Sequence, residues 1–202
     1  METIKNYLNW SMDDIVFDKV EGRFHVAGTP AKSLGWTDLG AVEASHKFES
    51  PGTFAFGACV GVIELDTETG EVRVREMHTV DDAGTILNHQ LAEGQVHGGL
   101  GLAVGAALYE EMYYGEDGVP KTTNFADYAL ASSDVMPMFD TNDTETPTPF
   151  NPLGVKGIGE SGTVVGTPAL QSAVMDALSH LGVEHLDMPY TPVRVWEALK
   201  AR

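Results

Sequence analysis

Alternating apolar and polar positions mark several strands along the chain, separated by turn clusters and by stretches of helical period. Ile15-Val16-Phe17 and Arg23-Phe24-His25-Val26 flank Val20-Glu21-Gly22, which predicts a β-hairpin that ends at Gly28-Thr29-Pro30. Thr37 has the character of an N-cap, so a short helix is expected through about Ser45, then a loop over 49–53. The clearest signal follows. Phe54 to Leu65 is largely apolar and Glu71 to Val80 alternates, with the turn sequence Asp66-Thr67-Glu68-Thr69-Gly70 between them. Two long antiparallel strands are expected, the second closed by Asp81-Asp82-Ala83-Gly84 as turn residues.

From about Asn88 to Glu111 the period becomes helical, with Leu91, Val96, Leu100, Val104, Ala107 and Leu108 as the apolar face. The same stretch holds Gly94, Gly98, Gly99, Gly101 and Gly105. A glycine inside a helix costs about 1 kcal/mol relative to alanine, so five need a reason. The i,i+4 pairs Gly94/Gly98 and Gly101/Gly105 make flat faces suited either to tight packing or to a ligand. Gly115-Glu116-Asp117-Gly118 is a turn, 124–133 is irregular or short strand, and the proline-rich 140–152 is expected to be an extended loop. A helix is predicted from about Pro168 to Leu181, and a Thr191-capped one begins at Pro192. This order predicts an α+β fold of mixed antiparallel strands and helices. Residues 1–50, the hairpin and short helix, are expected to pack on a core formed by 51–202.

Charge narrows the function classes. Twelve Lys and Arg oppose 30 Asp and Glu, a net charge of −18. That field repels a phosphate backbone and argues against nucleic-acid binding. The single cysteine, Cys59, removes an internal disulfide or a cysteine-cluster metal site. No basic and apolar leader stands at the N-terminus and no apolar run is long enough to span a membrane, so a cytoplasmic protein is expected. The seven histidines, His25, His46, His78, His89, His97, His180 and His185, form no close ligand pair with carboxylates, and no metal-ligand set is assigned.

The densest candidate chemistry is Gly154-Val155-Lys156-Gly157-Ile158-Gly159-Glu160-Ser161-Gly162. Glycines on both sides of Glu160 let the backbone approach a ligand while one carboxylate projects, an arrangement fit for a general base. A glycine-rich turn with a solvated glutamate fits the same residues. The loop has neither the P-loop order nor a nucleophile elbow.

Several separated segments then carry a family resemblance. They are Val80-Asp81-Asp82-Ala83-Gly84-Thr85-Ile86-Leu87-Asn88, Glu93-Gly94-Gln95-Val96-His97-Gly98-Gly99-Leu100 and Ala107-Leu108-Tyr109-Glu110-Glu111, followed by Asn124-Phe125-Ala126-Asp127-Tyr128, the loop 154–161 and the ending 187–196. In this order they resemble the molybdenum hydroxylases, which include xanthine dehydrogenase, aldehyde oxidoreductases and aerobic carbon monoxide dehydrogenase. The nearest branch is the C-terminal part of the carbon-monoxide-dehydrogenase type of large subunit, its second molybdopterin-binding domain. The resemblance implies that Glu160 is the catalytic base beside molybdenum and that Gln95 hydrogen-bonds the cofactor. It further implies that Gly94, Gly98, Lys156, Gly157, Gly159, Ser161, Gly162 and Thr163 shape the cofactor pocket. A molybdenum-molybdopterin cofactor is implied, in the cytosine dinucleotide form, with water as oxygen source. Iron–sulfur and flavin (FAD) subunits, and a chain carrying the remaining molybdopterin-binding part, are the implied partners. The family's earlier glycine-rich segments and its cysteine-bearing active-site loop have no counterpart here, and Asn88-His89 replaces the usual Asn-Pro. A non-catalytic piece that keeps the fold without cofactor is the alternative; an independent hydrolase built on Glu160 has little support.

Overall fold

The computed structural model describes residues 11–41, 43, 45, 47–49 and 51–201; the first ten residues, His46 and part of the predicted 37–45 helix lie outside them. The chain divides into two compact units, 1–49 and 50–202.

In the first unit, β1 (Ile15–Asp18), β2 (Arg23–Val26) and β3 (Thr29–Gly35) form an antiparallel meander. The predicted hairpin is present, but Thr29-Pro30 opens a third strand instead of ending the sheet. A strand of edge position tolerates Pro30, whose missing N–H costs nothing on an unpaired side. Phe24, Val26 and Leu39 are its buried core, with the Phe24 ring 4.9 Å from that of Trp36. The expected helix from Thr37 is a 3-10 turn, Trp36–Leu39, stopped by Gly40 at φ 67°. Asp38 supplies the cap, its carboxylate accepting the Gly35 N–H at 2.7 Å.

In the second unit, β4 (Phe56–Leu65) and β5 (Val72–Asp82) form the expected antiparallel pair. Asp66 turns the hairpin by accepting the N–H of Glu68 at 2.8 Å, and Gly70 takes φ 76°. A third strand, β6 (Met138–Thr144), runs parallel to β5 and takes up the start of the 140–152 segment expected to be loop. Its sequence, Phe139-Asp140-Thr141-Asn142-Asp143, is too polar to stand out, because it forms the sheet's far edge. The sheet order is β4-β5-β6.

Two helices cover the inner face of this sheet. Asn88 caps α1 (His89–Leu108) by accepting the Leu91 N–H at 3.1 Å. The helix α2 (Ser161–Ser179) starts two turns before the expected Pro168 and carries that proline inside it. Its buried residues Gly162, Gly166, Leu170, Val174 and Leu178 recur every fourth position. They meet Leu100, Val104 and Leu108 of α1 and Met77 of β5 in one core. The glycines explain how close the helices come. A Cβ on Gly162 would lie 2.4 Å from the Val96 carbonyl oxygen, and one on Gly99 2.8 Å from the Thr163 nitrogen. Helix α3 (Pro192–Lys200) is capped by Thr191 and buries Val195, while Arg194 donates to both Glu111 carboxylate oxygens at 3.0 Å.

Candidate functional site

The loop from Gly154 to Glu160 is held against the end of β5 by backbone pairing. Gly84 bridges Val155, the Lys156 N–H donates to the Ala83 carbonyl at 2.8 Å, and the Thr85 N–H donates to Gly154 at 3.0 Å. Gly84 (φ 68°) and Gly154 (φ 70°) both take the left-handed region. A Cβ on Gly84 would fall 2.2 Å from the Gly154 carbonyl oxygen, so only glycine fits that approach.

Two consecutive aspartates fix the loop's side chains. Lys156 Nζ donates to Asp82 Oδ1 at 2.8 Å, with side-chain exposures of 8% and 0%. The same ammonium lies 4.8 Å from the centre of the Phe56 ring. Asp82 also accepts the Gly84 N–H at 3.0 Å and the Thr144 hydroxyl at 3.2 Å. Burial pushes the Asp82 carboxyl up, but hydrogen bonds from Lys156, Thr146 and the Gly84 backbone outweigh it and hold the group well below the usual carboxylate range. Its neighbour Asp81 accepts hydrogen bonds from the Ser161 hydroxyl and, at 2.8 Å, from the Thr79 hydroxyl. Asp81 and Asp82 are buried strand residues, not the expected turn. Met77, Thr79 and Asp81 all point inward, one period of two along the strand.

Glu160 follows directly as the N-cap residue of α2, its side chain exposed and making no cap hydrogen bond. It lines a cavity of about 540 Å³ with Ala55, Phe56, Gly157, Gly159 and Val164. Gln95 reaches the same loop from α1, its Oε1 being 3.6 Å from where a Gly159 Cβ would stand. Gly94, Gly98 and Gly157 each face open space, with no atom within 4 Å of a built Cβ. The glycines of α1 therefore divide by face: Gly94 and Gly98 are exposed, whereas Gly99 is the packing glycine.

The remaining residues singled out in the sequence serve the scaffold. The Lys156 ammonium is directed at Asp82. Gly162 is buried against α1, and the Thr163 hydroxyl donates to the Gly99 carbonyl at 3.1 Å. Ser161 borders the cavity but spends its hydroxyl on Asp81. His97 lies against Phe139, ring centres 5.6 Å apart, with Nε2 3.4 Å from the Thr141 hydroxyl. Cys59 is half-buried, and burial followed by the Asp81 charge pushes its thiol up, away from a reactive thiolate. Ala55, Phe56, Gly57, Val164 and Val165 also line the cavity, and the sequence singled out none of them. Among the described residues no helix is long and apolar enough to cross a membrane.

Residues 1–137 match a family described as the molybdopterin cofactor-binding domain. The chain belongs to that family. Over 214 residues it is 35% identical to the carbon monoxide dehydrogenase large chain of Hydrogenophaga pseudoflava, covering 99% of this chain and 26% of that one. Its structure is similar to a copper- and molybdenum-containing carbon monoxide dehydrogenase in the carbon-monoxide-reduced state. The TM-score is 0.80 at 32% identity, over 99% of this chain and 27% of the other. Quinoline 2-oxidoreductase from Pseudomonas putida 86 superposes with a TM-score of 0.76 at 33% identity, over 98% and 27% of the two chains. The molybdopterin-binding chain thus spans about a quarter of the length of the curated relatives it matches. Two of these names carry different substrates, so membership fixes the cofactor class and leaves the substrate open. The α+β architecture expected from the sequence is the architecture of these molybdenum hydroxylases.

The residues present fit such a cofactor. Bare backbone at Gly157, Gly94 and Gly98 faces open space, and the cavity beside Glu160 lies within the size range of small-molecule and cofactor sites, about 300–1,000 Å³.

Proposed function

We propose that this chain supplies the base and part of the cofactor cradle of a molybdenum-dependent hydroxylase acting on a small substrate, with water as oxygen source. The observation that carries the reading is Glu160, projecting into a glycine-walled cavity from a loop fixed by Asp82–Lys156 and Asp81–Ser161. When bound, the molybdenum cofactor supplies two-electron redox chemistry. The chain's own residues hold and position. Gln95 offers an amide for hydrogen bonding beside Gly159, while Gly94, Gly98, Gly157 and Gly159 admit the cofactor to the backbone. The Glu160 carboxylate takes up the proton of the attacking water, at an oxygen free of other partners in the loop. Lys156, Gly162 and Thr163 act one step back, by holding loop and helices in register. Ser161, through Asp81, sets where α2 begins.

The cytosine dinucleotide form of the cofactor, iron–sulfur and flavin subunits, the remaining molybdopterin-binding part and a cytoplasmic setting belong to the same proposal. They are supported by the likeness to carbon monoxide dehydrogenase large chains.

The test is Glu160→Gln in the molybdenum-loaded enzyme, assayed with carbon monoxide, an aldehyde and an N-heterocycle. Loss of a positioned base should lower turnover by about 10²–10⁴-fold, at unchanged molybdenum content. Wild-type turnover in the variant would remove Glu160 from the chemistry.

A further inference from the structure

We propose that the outer edge of β4 receives an extended segment of the remaining large-subunit polypeptide as an added strand, and that this addition walls the Glu160 cavity. The inference rests on the molybdenum reading above and names the partner surface for that site.

Strand β4 pairs with β5 along one side, and among the described residues no strand pairs with its other side. Such an edge is a row of free N–H and C=O groups, a template for another strand. Natural edges are guarded by charge, proline or a covering element. The opposite edge of this sheet follows that rule, with Asp140 and Asp143 in β6. From Thr53 to Ile63, by contrast, the chain holds neither a charged residue nor a proline. Phe54, Phe56 and Val60 are 83%, 57% and 62% exposed. An apolar edge this long marks an interaction surface in a soluble protein.

The surroundings suit a strand more than a helix or a small molecule. A groove of about 520 Å³ runs beside Gly57–Gly61, walled on the α2 side by Val164, Pro168 and Ala169. Glycines and alanines leave room for every second side chain of an added strand, while the backbone supplies hydrogen bonds. Gly57, Val164 and Val165 line both this groove and the Glu160 cavity. An occupant of the groove therefore reaches the cavity wall.

Length and charge select the occupant. The curated relatives carry about three quarters of their sequence outside the region shared with this chain, where coverage is 26%. A second copy of this chain would bring another net charge of −18 to the same edge, and like charge opposes such pairing.

Hydrogen–deuterium exchange tests this on the isolated chain and on the native-host assembly containing the remaining large-subunit sequence, joined or separate, identified by mass spectrometry. Exchange across 56–62 should slow at least tenfold in the assembly. Val60→Lys/Val62→Lys should cut recovery of a separate partner at least tenfold, or restore fast exchange in a joined one, while the isolated variant keeps the wild-type Tm. An assembly that holds molybdenum but leaves β4 exchange unchanged overturns strand addition and leaves the Glu160 reading standing. Protection of β4 in the isolated chain, with a dimer in sedimentation, makes a second copy the occupant and overturns it as well. An isolated chain with neither molybdenum nor remaining large-subunit sequence in its native-host preparation overturns both readings.

Discussion

Lys156 and Asp82, 74 positions apart in sequence, form a buried ion pair of 2.8 Å that ties the Glu160 loop to the end of β5. The pair does what backbone pairing at Gly84 alone would leave loose: it fixes the side-chain layer beneath Phe56, a wall of the cavity. Its value lies in placement. A buried ion pair is weak evidence for net stability, because desolvation offsets most of the attraction.

Breaking one partner should therefore be costly in a way that removing both is not. Lys156→Met leaves the Asp82 carboxylate buried without its counter-charge and should destabilise the domain by about 3–5 kcal/mol. Urea unfolding of Lys156→Met against Lys156→Met/Asp82→Leu checks this, with the double variant recovering most of the loss. Equal stability of all three would show that the pair is not buried in solution.

The same carboxylate sets an acid limit. Its folded-state pKa lies below the ordinary value of 3.8. A depressed carboxylate contributes stability that is present above the unfolded value and lost as the pH falls from there toward the folded one. Unfolding free energy should accordingly drop on the acid side of pH 4, and drop less steeply in Lys156→Met/Asp82→Leu. Parallel pH profiles for the two proteins would assign the acid sensitivity to other groups.

Two adjacent glycines of α1, Gly98 and Gly99, should behave oppositely. Ala at Gly98 meets open space and removes a helix-interior glycine, for a gain of about 0.5–1 kcal/mol. Gly99→Ala drives a Cβ to 2.8 Å from the Thr163 backbone nitrogen, and overpacking of that kind costs about 1–3 kcal/mol. Thermal unfolding of the two variants distinguishes them. If Gly98 admits the cofactor as proposed, Gly98→Ala should also lower the molybdenum content of the loaded enzyme, because the added methyl would stand on that open face of α1.

Much of this was legible in the sequence, and the exceptions share a cause. The β4–β5 hairpin, the start of α1 at about Asn88 and the Thr191-Pro192 start of α3 are local signals, and each is where the pattern puts it. The glycines around Glu160 stand out in the sequence, and the residue they flank is exposed on the wall of a cavity. What stayed hidden depends on distant partners. Asp81 and Asp82 have turn chemistry in isolation, and only Ser161 and Lys156 turn them into strand residues. Polar β6 is a strand because β5 offers it a parallel edge. The first turns of α2 were obscured by Pro168 and by Gly162 and Gly166, residues poor in helix propensity that the contact with α1 requires. Gly99 and Gly98, adjacent and identical, could be separated only by knowing which face α2 covers.

Molybdenum per chain, measured by mass spectrometry after mild affinity purification from the native host with bound polypeptides retained, tests the cofactor reading most directly. The expected result is close to one metal per chain, together with the remaining large-subunit sequence. A preparation that is folded, carries that sequence and holds no molybdenum would contradict it.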